Sequence, residues 1–121
     1  MTYLSDLFID GEWRAGSEGT TFPVTDPATG ETIAQFAIAS EADCDAAVAA
    51  ADAAFPAWAA TSRAERARIL HAIADGVEKR IEELAIVETT DNGALLRSHR
   101  RGVMPRVAHN FRFFADWLLH L

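Results

Sequence analysis

A single cysteine, four histidines and a run of arginines are the first side chains in this 121-residue sequence to weigh for chemistry. Cys44 is its only sulfur nucleophile. It falls on the apolar stripe of a helical pattern with no cationic neighbour to depress its pKa, and is expected to be a core residue. One cysteine excludes an internal disulfide and any CxxC zinc or redox site. His71, His99, His109 and His120 are separated by 28, 10 and 11 positions, which matches neither a ligand pair one helical turn apart nor a zinc finger. Gly11, Gly16, Gly19 and Gly30 never form GxGxxG between a strand and a helix, and no GxxxxGK[ST] occurs, so no phosphate cradle is expected.

The arginines have more character. Arg97, Arg100, Arg101, Arg106 and Arg112 lie where residues 92–115 contain no acid. A solvated helix face, a carboxylate-bearing ligand, acidic surface elsewhere and nucleic acid are the readings open to such a run. Arg106 stands on the polar shoulder of the apolar Val103, Val107, Phe111 stripe, where a desolvated bidentate contact to a carboxylate would be strong.

The elements that must position these residues follow from pattern. With 50% apolar and 24% charged residues the sequence describes a folding chain. Its net charge of −7 disfavours bulk attraction to nucleic acid or an anionic membrane. Residues 1–61 carry ten acids against Arg14, whereas residues 62–121 carry eight acids against ten bases. No apolar run approaches the ~18 residues of a membrane span, and the N-terminus lacks a signal peptide's basic start. A cytoplasmic setting is expected.

Leu7-Phe8-Ile9 and Glu12-Trp13 flank Asp10-Gly11, a pair suited to a tight hairpin turn. A second extended pair, Thr21 to Thr25 and Glu31 to Ile38, flanks Asp26-Pro27-Ala28-Thr29-Gly30, with Pro23 marking an edge. After Ala39 the period lengthens. Ser40 and Asp43 form a capping pair ahead of the stripe Cys44, Val48, Ala51, Phe55 and Trp58, and Pro56 either kinks this helix or begins a following turn. Ser62 and Glu65 make a capping box for a helix with face Ile69, Ile73 and Val77. The pattern continues through Ile81, Leu84 and Val87, with a break near Lys79-Arg80, to a left-handed stop at Asn92-Gly93. A last helix runs Val103, Val107, Phe111, Phe114 and Leu118, its first turns loosened by Gly102 and Pro105. It has no stop signal, and its stripe has few elements left to cover it, which implies that the chain is part of something larger.

Five segments carry a resemblance in the same order and spacing: Phe8-Ile9-Asp10-Gly11-Glu12-Trp13, Asp26-Pro27-Ala28-Thr29-Gly30-Glu31, Ala53-Ala54-Phe55-Pro56-Ala57-Trp58, Ala64-Glu65-Arg66-Ala67 and Glu88-Thr89-Thr90-Asp91-Asn92-Gly93. Together they resemble the start of NAD(P)-dependent aldehyde dehydrogenases, over about the leading quarter of a family member. The resemblance implies an α/β family fold with a Rossmann-like dinucleotide-binding domain. Residues 1–121 would be its incomplete N-terminal part, α+β by itself, with antiparallel strands and a hairpin over 1–39 and three to four amphipathic helices over 40–121. It also implies that the nucleophilic cysteine, general-base glutamate, oxyanion-hole asparagine and dinucleotide-holding residues all come later. No catalytic or cofactor-binding residue is therefore assigned here, and the chain by itself is expected to be inactive and to bind neither NAD nor NADP. The family commonly continues Asn-Gly with Lys-Pro, whereas this sequence has Ala94-Leu95.

Two further expectations come from the resemblance. Asp91, with a backbone carbonyl near Thr25, matches a monovalent-cation site of some members; the alternative is an acid making local bonds at a helix end. The run Met104 to Asp116 looks most like members acting on carboxylated semialdehydes such as muconic semialdehydes, with Gly102 and Arg106 on the substrate tunnel and Arg106 reading the carboxylate. The implied partners are the remainder of the enzyme or another subunit and a small aldehyde, in a homo-oligomer, with no nucleic acid or membrane. The rival reading is a standalone α+β interaction module without catalysis, whose exposed stripes would mark a partner interface.

Overall fold

The computed structural model describes residues 5–120 and divides into two compact units, Met1–Ala60 and Thr61–Leu121. In the first, β1 (Leu7–Ile9) and β2 (Glu12–Arg14) pair antiparallel with Leu7 opposite Arg14. Asp10 and Gly11 turn the hairpin with φ of 55° and 81°, the positive angles the Asp-Gly pair was expected to take. Phe8 and Trp13 pack across it with ring centroids 4.9 Å apart and planes tilted by 48°. β3 (Thr21–Thr25) and β4 (Thr32–Ala37) form a second antiparallel pair, Phe22 opposite Phe36, with a register irregularity at Val24/Thr25. The turn between them is held by the Asp26 carboxylate, which accepts the Ala28 N–H at 2.7 Å.

Helix α1 (Glu41–Ala60) follows after a short linker. Its N-terminus is a complete reciprocal cap: Ser40 Oγ accepts the Asp43 N–H at 3.1 Å and Asp43 Oδ2 accepts the Ser40 N–H at 3.0 Å. Pro56 lies inside the helix rather than starting a turn. The expected burial of its stripe is corrected. Cys44 is exposed, not a core cysteine; Val48 is 69% and Phe55 63% exposed, and Trp58 is exposed as well. Only the alanine side of α1 faces structure, Ala47, Ala50, Ala51 and Ala54 bounding a hollow against the β1–β2 hairpin. Among the described residues of this unit no strand or helix covers the large side chains.

The second unit is helical. Ser62 caps α2 (Arg63–Lys79), its side chain accepting the Glu65 N–H at 3.2 Å. The return half of the expected capping box is absent, because the Glu65 carboxylate turns to Arg68 at 2.8 Å. Arg80, with φ −118° and ψ 16°, separates α2 from α3 (Ile81–Asn92), and Gly93 closes α3 in the left-handed conformation at φ 73°. One turn, α4 (Leu96–Ser98), leads through a π-helical turn at His99–Val103 into α5 (Met104–His120).

The core is a seam of small residues between α2 and α5. Ala74, Ala108 and Ala115 have no exposed surface, and Ala67 and Met104 are buried with them; Ala85 of α3 is also fully buried. This shifts both expected faces. Ile73 and Phe114 are exposed, as is Val103, while Val77, Val107, Phe111 and Leu118 are half-buried beside the seam. Alanines let two helix axes approach closely, and the larger side chains flank the contact. His71 Nε2 to Asp116 at 3.0 Å and Arg112 to Asp75 and Glu78, each at 2.6 Å, lace the rim of the same α2–α5 contact.

Candidate substrate-tunnel site

The site is built where the π turn meets α5. The Met104 N–H reaches the His99 carbonyl, five residues back, in place of the usual i−4 bond. Two residues explain the irregularity. Pro105 has no N–H to offer the Arg101 carbonyl, and Gly102 gives up helix propensity without filling space, since a Cβ there would meet nothing within 4 Å. His99 is 4% exposed and its Nδ1 lies 2.9 Å from Thr89 Oγ1, which ties the turn to α3.

Gly102 and Arg106, the two residues expected on the tunnel, line one open hollow of about 660 Å³ together with Arg97, Ser98, Arg101 and Val103. The arginine run splits. Arg100 pairs with Glu82 and Arg112 with Asp75 and Glu78. Both guanidinium pKa values are raised, first by the hydrogen bonds they donate to Glu82 and Glu78 respectively. Arg97, Arg101 and Arg106 have no ion pair among the described residues. Sequence reasoning singled out Arg106 and left Arg97 and Arg101 undistinguished. The acid-free stretch was the available signal, and α-helical spacing concealed the grouping.

The other expected positions lie elsewhere. Thr25 ends β3 in the first unit and Asp91 is an exposed residue in the last turn of α3 in the second. Among the described residues no group of three or more His, Cys, Asp or Glu is arranged to hold a metal ion. The β4–α1 connection lacks the features of a dinucleotide cradle. Both strand pairs are antiparallel, and β4 enters α1 through Ile38-Ala39-Ser40, without glycine. The α1 N-terminus at that connection is capped by the Asp43 carboxylate.

The chain belongs to the aldehyde dehydrogenase family, whose model matches residues 13–121. It is 43% identical over 113 residues to fluoroacetaldehyde dehydrogenase of Streptantibioticus cattleyicolor, covering 93% of this chain and 22% of that protein. It is 39% identical over 109 residues to 5-carboxymethyl-2-hydroxymuconate semialdehyde dehydrogenase of Escherichia coli, covering 90% and 23%. The crystal structure of PnpE (Pseudomonas sp. WBC-3) in complex with nicotinamide adenine dinucleotide superposes with a TM-score of 0.92 at 42% identity, over 94% of this chain and 23% of that one. The chain thus spans under a quarter of the length of the curated relatives it matches. No helix among the described residues is long and apolar enough to cross a membrane.

Proposed function

We propose that this chain is the leading segment of a cytoplasmic, homo-oligomeric NAD(P)+-dependent aldehyde dehydrogenase whose substrate is a carboxylated semialdehyde. The observation that carries the substrate class is the shared hollow of Gly102 and Arg106. Gly102 leaves room for an aldehyde chain, and the Arg106 guanidinium, without an acid partner among the described residues, is free to take a carboxylate in two parallel charge-assisted bonds. The name of the Escherichia coli relative, a semialdehyde dehydrogenase, agrees with this substrate class. Within this division of labour the segment supplies scaffold and tunnel wall. Oxidation of the aldehyde, with the nicotinamide as hydride acceptor, belongs to residues outside 1–121. The residues here admit the substrate, fix its charged end and set its depth.

The test is a substrate panel on the complete protein, comparing NAD+ and NADP+ reduction with aldehydes of matched length that carry or lack a terminal carboxylate. A kcat/KM preference for the carboxylated members supports the reading. Equal turnover of both sets removes the substrate assignment, and no turnover of either removes the activity.

A further inference from the structure

His99 carries both the bond that makes the π turn and the one that anchors it. Its N–H reaches the Leu95 carbonyl at 3.3 Å, as in an ordinary helix, while its carbonyl accepts the Met104 N–H from five residues ahead. Its imidazole is buried, and Nδ1 meets Thr89 Oγ1 at 2.9 Å. A hydroxyl can donate or accept, so the contact holds in either tautomer of the ring. Thr89 is itself fixed, because its carbonyl takes the Gly93 N–H that closes α3. A second tie from the turn to α3, Arg100 to Glu82, is an exposed ion pair of the kind that contributes little.

The turn needs an anchor because the rest of α5 is not free to follow it: Ala108 and Ala115 hold that helix in its seam with α2. One residue occupies ~100° of an α-helix. Rewinding the extra residue of the π turn would therefore swing Gly102 by about that angle against a fixed α5, and out of the hollow it shares with Arg106. We infer that Thr89 and His99 are positioning residues for that hollow: they meet no substrate, and their contact sets where Gly102 stands relative to Arg106. This rests on the reading of the hollow as the substrate tunnel. A protein whose turn is formed only part of the time binds in proportion to the formed fraction, and bound substrate restores the turn, so loss of the contact falls on KM and spares kcat.

The experiment compares Thr89→Val, Thr89→Ser and Glu82→Gln in the complete protein, by steady-state kinetics on the panel aldehyde of highest kcat/KM and by hydrogen exchange across residues 99–104. Thr89→Val keeps the shape and removes the hydroxyl. It should raise KM about tenfold, the scale of one buried hydrogen bond, with kcat within about twofold of the parent and faster exchange of the Met104 amide. Thr89→Ser should restore both readings, and Glu82→Gln should leave both at the parent's values. Thr89→Ala, which raises the helix propensity of α3, should repeat the rise in KM without lowering the melting temperature. An unchanged KM, a fall in kcat at constant KM, no rescue by Thr89→Ser, or unaltered exchange over 99–104 would each overturn the inference. Absence of aldehyde oxidation by the parent defeats the enzymatic reading alone, and exchange of the Met104 amide then decides whether the contact holds the turn.

Discussion

Asp43 Oδ2 accepts both the backbone N–H and the hydroxyl of Ser17, each at 3.0 Å and across 26 residues of sequence. The same oxygen takes the Ser40 N–H and hydroxyl, so one carboxylate joins the loop after β2 to the start of α1. The backbone bonds from Ser17 and then Ser40 pull its pKa from 3.8 down to about 2. A carboxyl whose folded pKa is depressed contributes its stability above the unfolded value and loses it as pH falls through the folded one. The melting temperature should therefore fall between pH 4 and pH 2 by more in the parent than in Asp43→Asn. Parallel pH profiles for the two proteins would show that the carboxylate's charge is unimportant.

The same loop leaves no room for a side chain at Gly16. A Cβ on Gly16 would stand 2.5 Å from the Ile38 carbonyl oxygen, a backbone atom that cannot swing aside. Gly16→Ala should cost about 1–3 kcal/mol, as overpacking does. Gly76, in the last turn of α2 with nothing within 4 Å of a Cβ, is the contrast. There Gly76→Ala should stabilise by up to ~1 kcal/mol, read by urea titration.

Ala108 lies fully buried in the α2–α5 seam. Ala108→Leu must push the helices apart or take an off-rotamer conformation, at a cost of about 1–3 kcal/mol. Phe114→Ser, on the exposed side of the same helix, should leave the stability of the segment within about 0.5 kcal/mol of the parent.

Produced by itself, residues 1–121 should self-associate, because Phe113, Phe114, Trp117 and Leu119 are exposed along one end of α5. Sedimentation at increasing concentration should show growing mass, accompanied by binding of a hydrophobic dye. A concentration-independent monomer would show that this apolar surface is tolerated in water.

Two substitutions separate charge reading from steric fit in the proposed tunnel. Arg106→Ala should lower kcat/KM for a carboxylated semialdehyde by roughly 30- to 1,000-fold, from a desolvated contact of about 2–4 kcal/mol, and neutral aldehydes far less. Gly102→Val adds bulk to the hollow where a Cβ meets nothing. It should therefore spare the fold and lower kcat/KM for bulky aldehydes of either charge by about tenfold, the scale of losing one methylene-sized fit. An equal loss in both aldehyde classes with Arg106→Ala would mean that the residue positions the helix.

Local chemistry was legible in the residues themselves. The Asp10-Gly11 hairpin, the Ser40 and Ser62 caps, the break at Arg80 and the stop at Gly93 each depend on a few neighbouring residues, and each stands where its residue type requires. Gly102 and Arg106 were singled out from their resemblance to family members, and they meet in one hollow. What only the tertiary structure decided was phase. A hydrophobic pattern ranks residues by size and so selected Ile73, Val103 and Phe114, whereas the contact between α2 and α5 is made by Ala67, Ala74, Ala108 and Ala115. The approach of two helix axes is limited by the smallest side chains between them, and no single helix contains that information. The grouping of Arg97 with Arg106 was hidden for a related reason. It depends on one backbone bond, from Met104 to His99, and on the buried His99–Thr89 contact that holds the turn in place.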